Sequence, residues 1–443
     1  MTKTLHSVRK DALEIFLAGL QAADAKACIT RHFSLIGNTL IIGENPYNLD
    51  DFNNIYVIGF GKASGFMAEA LEELLKHRIK SGIVNVQYGY VAPCKIVKIN
   101  EAGHPIPDYA GIKGTHEIMN LLGKVDENDI VFCLISGGGS ALFESPHDGI
   151  SLDDIQKVTS LLLKSGANIE EINVVRKRLS KVKGGRLMRL CKGVIVSLIL
   201  SDVWNDSIDI IASGPTTPDY STFLDSKKIL LKYNLLQTIP VSVRKHIEHG
   251  LQEKQEETPK KQGTINNRGF NIIIGNNHVA LLASYEKAVN LGYHTTLISS
   301  FIGGEAREAA KAFVSLAREI YPVGNPVKRP ACLIAGGETT VTVKGYGYGG
   351  RNQEFVLAAA MEICDMENTV VLSAGTDGID GNTDAAGAIA DSTTLKRSEE
   401  AGVTPSAFLT ANNTYSFFKI LDDLIITGPT RTNVMDIMLL LIP

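Results

Sequence analysis

The sequence lacks the features that mark membrane, disulfide-bonded or nucleic-acid-binding proteins. No apolar run approaches the ~20 residues that a membrane span requires. The net charge of -4 and the isoelectric point near 6.2 leave no basic excess for nucleic acid. Its six cysteines form no Cys-x-x-Cys pair, and five lie in apolar or helical surroundings, which indicates buried, reduced thiols. We therefore expect a cytoplasmic protein with neither a membrane nor a nucleic-acid partner.

What the chain has is the composition of an ordinary globular protein. It contains 443 residues, of which 44% are hydrophobic and 21% charged, enough for two or three domains. The N-terminal segment repeats apolar residues at helical spacing, at Ala12, Leu13, Phe16, Leu17 and Leu20. Acidic residues interrupt that segment, so it predicts an amphipathic helix and no signal peptide.

Strand-like runs alternate with helical patterns along the first half. "NIYVIGFG" precedes "SGFMAEALEELLKHRI", "DIVFCLISGGG" precedes "LDDIQKVTSLLLKSG", and "GVIVSLILSDV" follows. Continuous Val/Ile runs of this kind are typical of a parallel sheet covered by helices on both faces. Ligands of such sheets bind at the carboxyl ends of the strands, where the glycines of this sequence fall.

A polar, charged stretch without periodicity divides the chain. Residues 251–268 are predicted to be a linker or exposed loop between a domain at 1–250 and a second at 269–443. The second half opens with its own strand and helix from Phe270. It then shows strand-like alternation over 340–343 and closes with "VMDIMLLLIP", a buried strand or helix turn.

The glycine loops do not match the common nucleotide or hydrolase fingerprints. Gly59-Phe60-Gly61 and Gly137-Gly138-Gly139 each lack the last glycine of G-x-G-x-x-G, since Ser64 and Leu142 stand there. Ala63 follows Gly61-Lys62 where a Walker A loop needs Ser or Thr, and Ser140 lacks the glycine of a nucleophile elbow. These mismatches weaken three hypotheses, the Rossmann dehydrogenase, the P-loop NTPase and the α/β-hydrolase.

Two strand-end loops nevertheless favour anion binding. The "SGGGS" loop can offer main-chain N–H groups to a phosphate. It consists of Ser136, Gly137, Gly138, Gly139 and Ser140. Lys62 stands at another turn from strand to helix, where a helix N-terminus favours negative charge. The alternatives are a tight packing turn for the first loop and a solvated surface lysine for the second.

Further polar residues follow other predicted strands. Arg351 in "GYGYGGRNQE" offers a planar fork to a carboxylate or phosphate. Asp202 and Asp377 are candidate Mg²⁺ ligands, although turn chemistry alone also explains aspartates there. Weaker candidates in similar loops, each with a turn or capping alternative, are Asp206, Asp380, Asp384, Glu338 and His104. No Cys/His cluster suits zinc, and phosphoryl transfer fits this set of residues well.

Nine motifs occur in order over nearly the whole chain. They are "GFGKAS", "GHPIPD", "LISGGGSALFESP", "NVVRKRLSKVKGGRL", "SDVWNDSIDIIASGPTTPD", "GNNHVAL", "GGETTV", "GGRNQE" and "AGTDGIDGNTDAAGA". Taken together, these motifs resemble the glycerate 2-kinase family, which joins a Rossmann-like N-terminal domain to a C-terminal MOFRL domain. Some members of that family carry the label hydroxypyruvate reductase.

The resemblance implies a larger α/β/α sandwich and a smaller α/β domain with a cleft between them. It implies phosphorylation of D-glycerate by ATP with Mg²⁺, usually at the 2-hydroxyl. Lys62 and Arg351 would be the cationic pair, gripping glycerate or the transferred phosphoryl group. The Ser136–Ser140 loop and Glu338 would bind substrate or nucleotide, and Asp202 would assist the metal or the attacking hydroxyl, with Asp377 near it.

Two residues depart from the family pattern. Arg431 replaces a glycine of the usual Thr-Gly-Thr-Asn near the C-terminus, and Asn205 stands where glycine is common. Two other functions stay open, an NAD(P)-dependent hydroxypyruvate reductase and a non-catalytic small-molecule sensor. The sequence leaves open the choice between the 2- and 3-phospho product, and between a monomer and a small homo-oligomer.

Overall fold

The computed structural model describes residues 3–260 and 269–443. The strands in these residues are β1 (Phe33–Ile36), β2 (Thr39–Ile42), β3 (Asn45–Asn48), β4 (Ile55–Phe60), β5 (Ile79–Gln87), β6 (Val97–Ala102), β7 (Ile130–Ile135), β8 (Val194–Leu200), β9 (Phe270–Gly275), β10 (His294–Ile302), β11 (Ala331–Gly337), β12 (Val370–Gly375), β13 (Gly387–Asp391), β14 (Leu424–Ile425) and β15 (Asp436–Ile442).

The α-helices in the same residues are α1 (Leu5–Ala22), α2 (Ala25–His32), α3 (Ser64–Leu75), α4 (Tyr109–Leu122), α5 (Gly139–Leu142), α6 (Leu152–Lys164), α7 (Ile169–Leu179), α8 (Arg186–Leu190), α9 (Phe223–Lys232), α10 (Val241–Leu251), α11 (Asn277–Asn290), α12 (Ala306–Val323), α13 (Arg351–Glu362), α14 (Thr394–Glu400), α15 (Pro405–Thr410) and α16 (Thr414–Leu421).

The chain divides into two compact units. The first unit lies between Cys28 and Ile274, and the second combines the segment ending at Ala27 with Gly275–Pro443. This division differs from the predicted one, in which the first domain ran over 1–250 and the second over 269–443. Two elements account for the difference, helix α1 before the start of the first unit and strand β9 at its end.

Helix α1 belongs to the second unit because its buried face packs there. Val8, Ala12, Ile15 and Phe16 are fully buried in one hydrophobic cluster with side chains of α11, β12 and β15. Arg9 adds ion pairs to Asp391 and Asp423. The predicted amphipathic helix is therefore correct, and its partner surface comes from residues more than 250 positions away.

Strand β9 belongs to the first unit, although we predicted that it opens the second domain. It is the edge strand of a six-stranded sheet ordered β6-β5-β4-β7-β8-β9. The described part of the predicted linker is also packed against this unit. Thr258 is 2% exposed and lies between Arg178, which donates to it at 3.1 Å, and Asp219, which accepts from it at 2.8 Å. Residues 261–268 of that predicted linker lie outside the described residues.

The sheet of the first unit confirms the parallel α/β prediction. Strands β4, β5, β6, β7 and β8 pair in parallel, and every residue of β4 and β7 is buried. Strands β4 to β6 extend the sheet in one direction, and β7 and β8 extend it in the other. The strand order therefore reverses between β4 and β7, which is the position where ligands bind in open parallel sheets.

The sheet of the second unit is mixed, ordered β10-β11-β15-β12-β13-β14. Only β10 and β11 run parallel among its described pairs, and β15 lies in the middle, antiparallel to β11 and β12. The closing apolar run is thus a buried strand. The strand predicted over 340–343 is absent from the described structure, where Thr340 makes a single bridge to Glu305 and the Glu305 carboxylate accepts from Thr342 N–H.

Candidate functional site

The glycine loop follows β7 at the point where the strand order reverses. Gly138 has φ +82°, and a Cβ at this residue would lie 2.9 Å from the His104 ring. A Cβ on Gly139 would lie 2.7 Å from the Cβ of Ala212. Side chains are thus excluded by backbone conformation at Gly138 and by close packing at both positions. Within the described chain, the N–H groups of Gly137 and Gly138 donate to no protein acceptor.

Lys62 lies directly beside this loop. It stands between β4 and α3, and its N–H donates to the carbonyl of Gly137 at 2.9 Å. Its Cγ lies 3.4 Å from the position that a Cβ on Gly138 would take. The two loops that the sequence singled out independently are therefore adjacent, with the half-buried Lys62 side chain beside the glycine loop.

The two serines of the loop have different surroundings. Ser136 is fully buried, and its Oγ accepts from Ala63 N–H at 3.0 Å and lies 3.1 Å from Ser64 Oγ. It joins the glycine loop to the lysine loop from inside the protein. Ser140 is half-buried, and its Oγ lies 2.9 Å from Ser213 Oγ. Ser140 is therefore the loop hydroxyl closer to solvent.

Asp202 follows β8, the strand next to β7. Its side chain is half-buried, two residues beyond the strand end. The segment after it folds back onto the glycine loop, since Ala212 packs on Gly139 and Ser213 contacts Ser140. Asn205 in this segment has φ +58°, the left-handed conformation that Asn tolerates. Lys62, the glycine loop and Asp202 thus lie at the carboxyl ends of three neighbouring strands.

Arg351 begins α13 in the second unit. Its Nε and Nη2 donate to the two carboxylate oxygens of Asp436 at 2.6 and 2.9 Å, and Nη1 lies 3.2 Å from Glu338. Burial opposes the charge of the guanidinium, but the Asp436 carboxylate outweighs it and raises the pKa of Arg351 further above its usual range. Arg351 is therefore a permanently charged, rigidly held fork with a quarter of its side chain exposed.

The sequence analysis missed Asp436. This residue begins β15 and is fully buried, and its Oδ1 also accepts from Asn352 Nδ2 at 3.0 Å. An aspartate inside the apolar run "VMDIMLLL" is the signal that could have found it, because a buried carboxylate needs a cationic partner.

The three aspartates of the "TDGIDGNTD" loop have separate environments. Asp377 is 8% exposed, and its Oδ1 accepts from Ile379 N–H at 3.1 Å. Asp380 is fully buried and caps α13 by accepting from the N–H groups of Asn352 and Gln353 at 3.1 and 2.9 Å. Asp384 accepts from the Tyr415 hydroxyl at 2.8 Å. Asp380 and Asp384 thus have structural partners.

The predicted site residues consequently fall into two groups, one in each unit. The first group is Lys62, the Ser136–Ser140 loop and Asp202, and the second is Arg351, Glu338 and Asp377. The two proposed metal ligands, Asp202 and Asp377, belong to different units. No cluster of three or more His, Cys, Asp or Glu side chains suited to a metal occurs in residues 3–260 and 269–443.

The position of Arg431 differs from the family-based expectation. Arg431 is not among the described non-glycine residues with positive φ, whereas Met435 has φ +68°. The neighbouring Thr430 donates through Oγ1 to the carbonyl of Thr376 at 2.5 Å. A left-handed residue therefore occurs at Met435, four positions after Arg431, and the arginine fits without backbone strain.

Two family models match the chain. Residues 11–248 match a domain of unknown function designated DUF4147, and residues 331–436 match the MOFRL family. No helix within the described residues is long and apolar enough to cross a membrane. Together the two matches define the two-domain class to which this fold belongs.

Individual relatives specify the class further. The chain is 42% identical over 436 residues to the glycerate 2-kinase of Pyrococcus horikoshii, with 98% of this chain and 97% of that protein covered. The crystal structure of glycerate kinase from Thermotoga maritima has a TM-score of 0.86 at 40% identity, covering 99% of this chain and all of that one. A relative from Agrobacterium vitis, 37% identical over 98% of this chain and 95% of its own, carries hydroxypyruvate reductase in its name. The chain belongs to the glycerate 2-kinase family.

Proposed function

We propose that this chain is a glycerate 2-kinase, transferring the terminal phosphoryl group of ATP to the 2-hydroxyl of D-glycerate. The products are 2-phosphoglycerate and ADP. The observation that carries the proposal is the contact between Lys62 and the glycine loop where the strand order reverses. In the described residues, the Gly137 and Gly138 N–H groups of that loop donate to no protein acceptor. The names of the relatives support the same activity.

The residues of the first unit bind and neutralise phosphate. The loop N–H groups donate to phosphate oxygens, and the Lys62 ammonium offsets the charge that remains on the transferred group. Such catalysis consists mainly of positioning and charge neutralisation, so it needs no covalent intermediate on the protein. We assign Asp202, which follows the adjacent strand β8, to accept the proton of the attacking hydroxyl as its oxygen bonds to phosphorus and the bond to ADP breaks.

Arg351 is the cation of the second unit that we assign to substrate. Asp436 holds two of its nitrogens, so the guanidinium presents the remaining edge, with Nη1, beside the half-exposed Glu338. We assign this edge to the transferred phosphoryl group or to glycerate itself, with Glu338 and Asp377 as neighbouring binding residues. The fixed orientation favours bidentate contact with an anion.

The carboxylates of the chain fit a Mg²⁺ ion that is bound mainly through nucleotide. Such ions use one or two protein carboxylates and complete their coordination with water and phosphate. Asp202 or Asp377 would hold it, in keeping with the absence of a three-residue cluster from the described part of the chain. When bound, Mg²⁺ neutralises charge on the phosphate oxygens. The proposed setting is a cytoplasmic monomer or small homo-oligomer that binds ATP and glycerate, with no nucleic-acid partner.

The reductase named for one relative is the second candidate. A nicotinamide dinucleotide site usually contains G-x-G-x-x-G, and neither glycine loop of this chain has it. We expect purified protein with ATP, Mg²⁺ and D-glycerate to release ADP, measured by chromatography. Hydroxypyruvate with NADH, followed at 340 nm in a separate reaction, should show no oxidation. NADH consumption without ADP release would reject the kinase in favour of the reductase.

A further inference from the structure

Arg176 on α7 is a half-buried cation whose charge has no carboxylate partner in the described residues. Its single hydrogen bond in the described structure runs from Nε to Thr159 Oγ1 at 3.5 Å, at the limit of a hydrogen bond. No carboxylate of the described residues lies within 4.0 Å of it, and burial lowers its pKa. Taking a guanidinium out of water without a counter-ion is costly, so this position calls for an anion.

Two neighbouring buried arginines have closer acceptors than Arg176 has. Arg178 is fully buried and pairs with Asp219 at 2.7 Å. Arg186 donates to the carbonyls of Lys177 and Ser180 at 2.6 and 3.2 Å. The same segment thus satisfies its other buried arginines with protein acceptors.

Glu144 is the carboxylate whose negative charge acts on Arg176, but it already has partners. Its Oε2 lies 2.8 Å from the fully buried Lys183 ammonium, and its Oε1 accepts from Ser145 N–H at 3.0 Å. The charges of Glu144 and Lys183 cancel, so the group with Arg176 keeps one uncompensated positive charge. That charge matches a single carboxylate or one edge of a phosphate.

The position of Arg176 connects it with the glycine loop. Asn173, one helical turn earlier, accepts from Ser213 Oγ at 2.9 Å, and Ser213 contacts Ser140 at 2.9 Å. Glu144 follows α5, the short helix that begins in the glycine loop. These two connections link α7 and Glu144 to the proposed phosphate-binding loop, and Arg176 lies on the same face of α7 as Asn173.

We propose that Arg176 binds a pair of anionic oxygens at the glycine loop, and that these belong to the carboxylate of glycerate. The inference rests on the proposed function and deepens it by naming the residue that recognises the acid group. The same chemistry could come from a phosphate of ATP, which is the competing source.

The test compares Arg176→Met and Arg176→Lys with the wild type in the full-length protein. Arg189→Met is the matched control, since Arg189 lies on the next helix and pairs with Glu256 at the surface. Binding of D-glycerate and of a non-hydrolysable ATP analogue is measured separately by calorimetry, alongside KM for each substrate. Arg176→Lys keeps the charge and serves if the methionine variant fails to fold. Loss of a charged hydrogen-bonding pair predicts a ~10- to 100-fold weaker glycerate affinity in Arg176→Met.

The outcomes separate the possibilities. Weaker glycerate binding with unchanged binding of the ATP analogue supports the carboxylate assignment. Weaker binding of the analogue alone reassigns the site to phosphate and overturns the carboxylate. Unchanged affinity for both ligands overturns the anion site. If wild-type protein binds through Arg176 but phosphorylates no glycerate, the proposed function fails while the anion site stands.

Discussion

The pairing of Arg351 with Asp436 predicts that substitutions at two acidic residues, Asp436 and Glu338, should differ in their effect on stability. Asp436 and Glu338 contact the same guanidinium, but Asp436 is fully buried and the side chain of Glu338 is 47% exposed. Asp436→Asn removes the negative charge and points an amide NH₂ at donors of Arg351 or Asn352. Glu338→Gln removes a charge that water already screens, because the Glu338 side chain is about half exposed. The two variants therefore test whether burial sets the strength of the pair.

The expected magnitudes follow from that difference. Breaking a buried ion pair costs ~3–5 kcal/mol, and we take about 3 kcal/mol because Arg351 keeps some contact with water. An exposed pair contributes at most ~1 kcal/mol. For a unit of this size, these values correspond to a fall in Tm of roughly 6–12 °C for Asp436→Asn and less than ~4 °C for Glu338→Gln.

Differential scanning calorimetry of both variants measures the effect, and steady-state kinetics measures its consequence. A misplaced Arg351 should lower kcat of Asp436→Asn by up to ~100-fold. Equal shifts of Tm in the two variants would refute the argument from burial. Normal kcat in Asp436→Asn would refute the positioning role.

Three further predictions concern other residues. Lys62→Met should lower kcat by ~100-fold or more and leave Tm unchanged, whereas the control Lys124→Met, at an exposed lysine, should change neither quantity. A normal kcat in Lys62→Met would remove Lys62 from the site. Burial raises the pKa of Asp380 from 3.8 to about 6, so the folded state holds its proton more tightly than the unfolded state. The free energy of unfolding should therefore fall by about 2 kcal/mol as pH rises from 4 to 7. Urea titrations should show that component lost in Asp380→Asn, and an identical pH slope in both proteins would contradict it. Asn205 has a left-handed backbone, so Asn205→Gly should leave the free energy of unfolding within about 1 kcal/mol of wild type, whereas Asn205→Val should lower it by ~1–2 kcal/mol. Equal denaturation midpoints for the glycine and valine variants would contradict the left-handed conformation.

The sequence predicted the parts of this structure that depend on local pattern. The strands β4, β7 and β8 follow from apolar runs, and the turns after β4 and β7 follow from glycines, which have special backbone freedom. Adjacency of Lys62 and Gly138 could be expected only once the order of the strands was known. That order depends on which strands pair, and a local pattern does not contain it.

The long-range pairings were beyond local reasoning. Strand β9 and helix α1 each carry an apolar face, but nothing near them in sequence specifies the surface that covers it. Asp436 lies 85 residues from Arg351 and became recognisable as its partner only through β15. Because Arg351 pairs with this buried carboxylate, Arg351→Ala should also destabilise the fold.

We have proposed that the loops around Lys62 serve phosphoryl transfer to glycerate. The most direct measurement is a ³¹P and ¹³C NMR time course of the purified protein with ATP, Mg²⁺ and D-glycerate. We expect a new phosphomonoester signal coupled to C2 of glycerate, growing as ATP is consumed. Coupling to C3 would establish the kinase and contradict the 2-hydroxyl as acceptor. If the protein is folded and no phosphomonoester forms, the proposed kinase activity is contradicted.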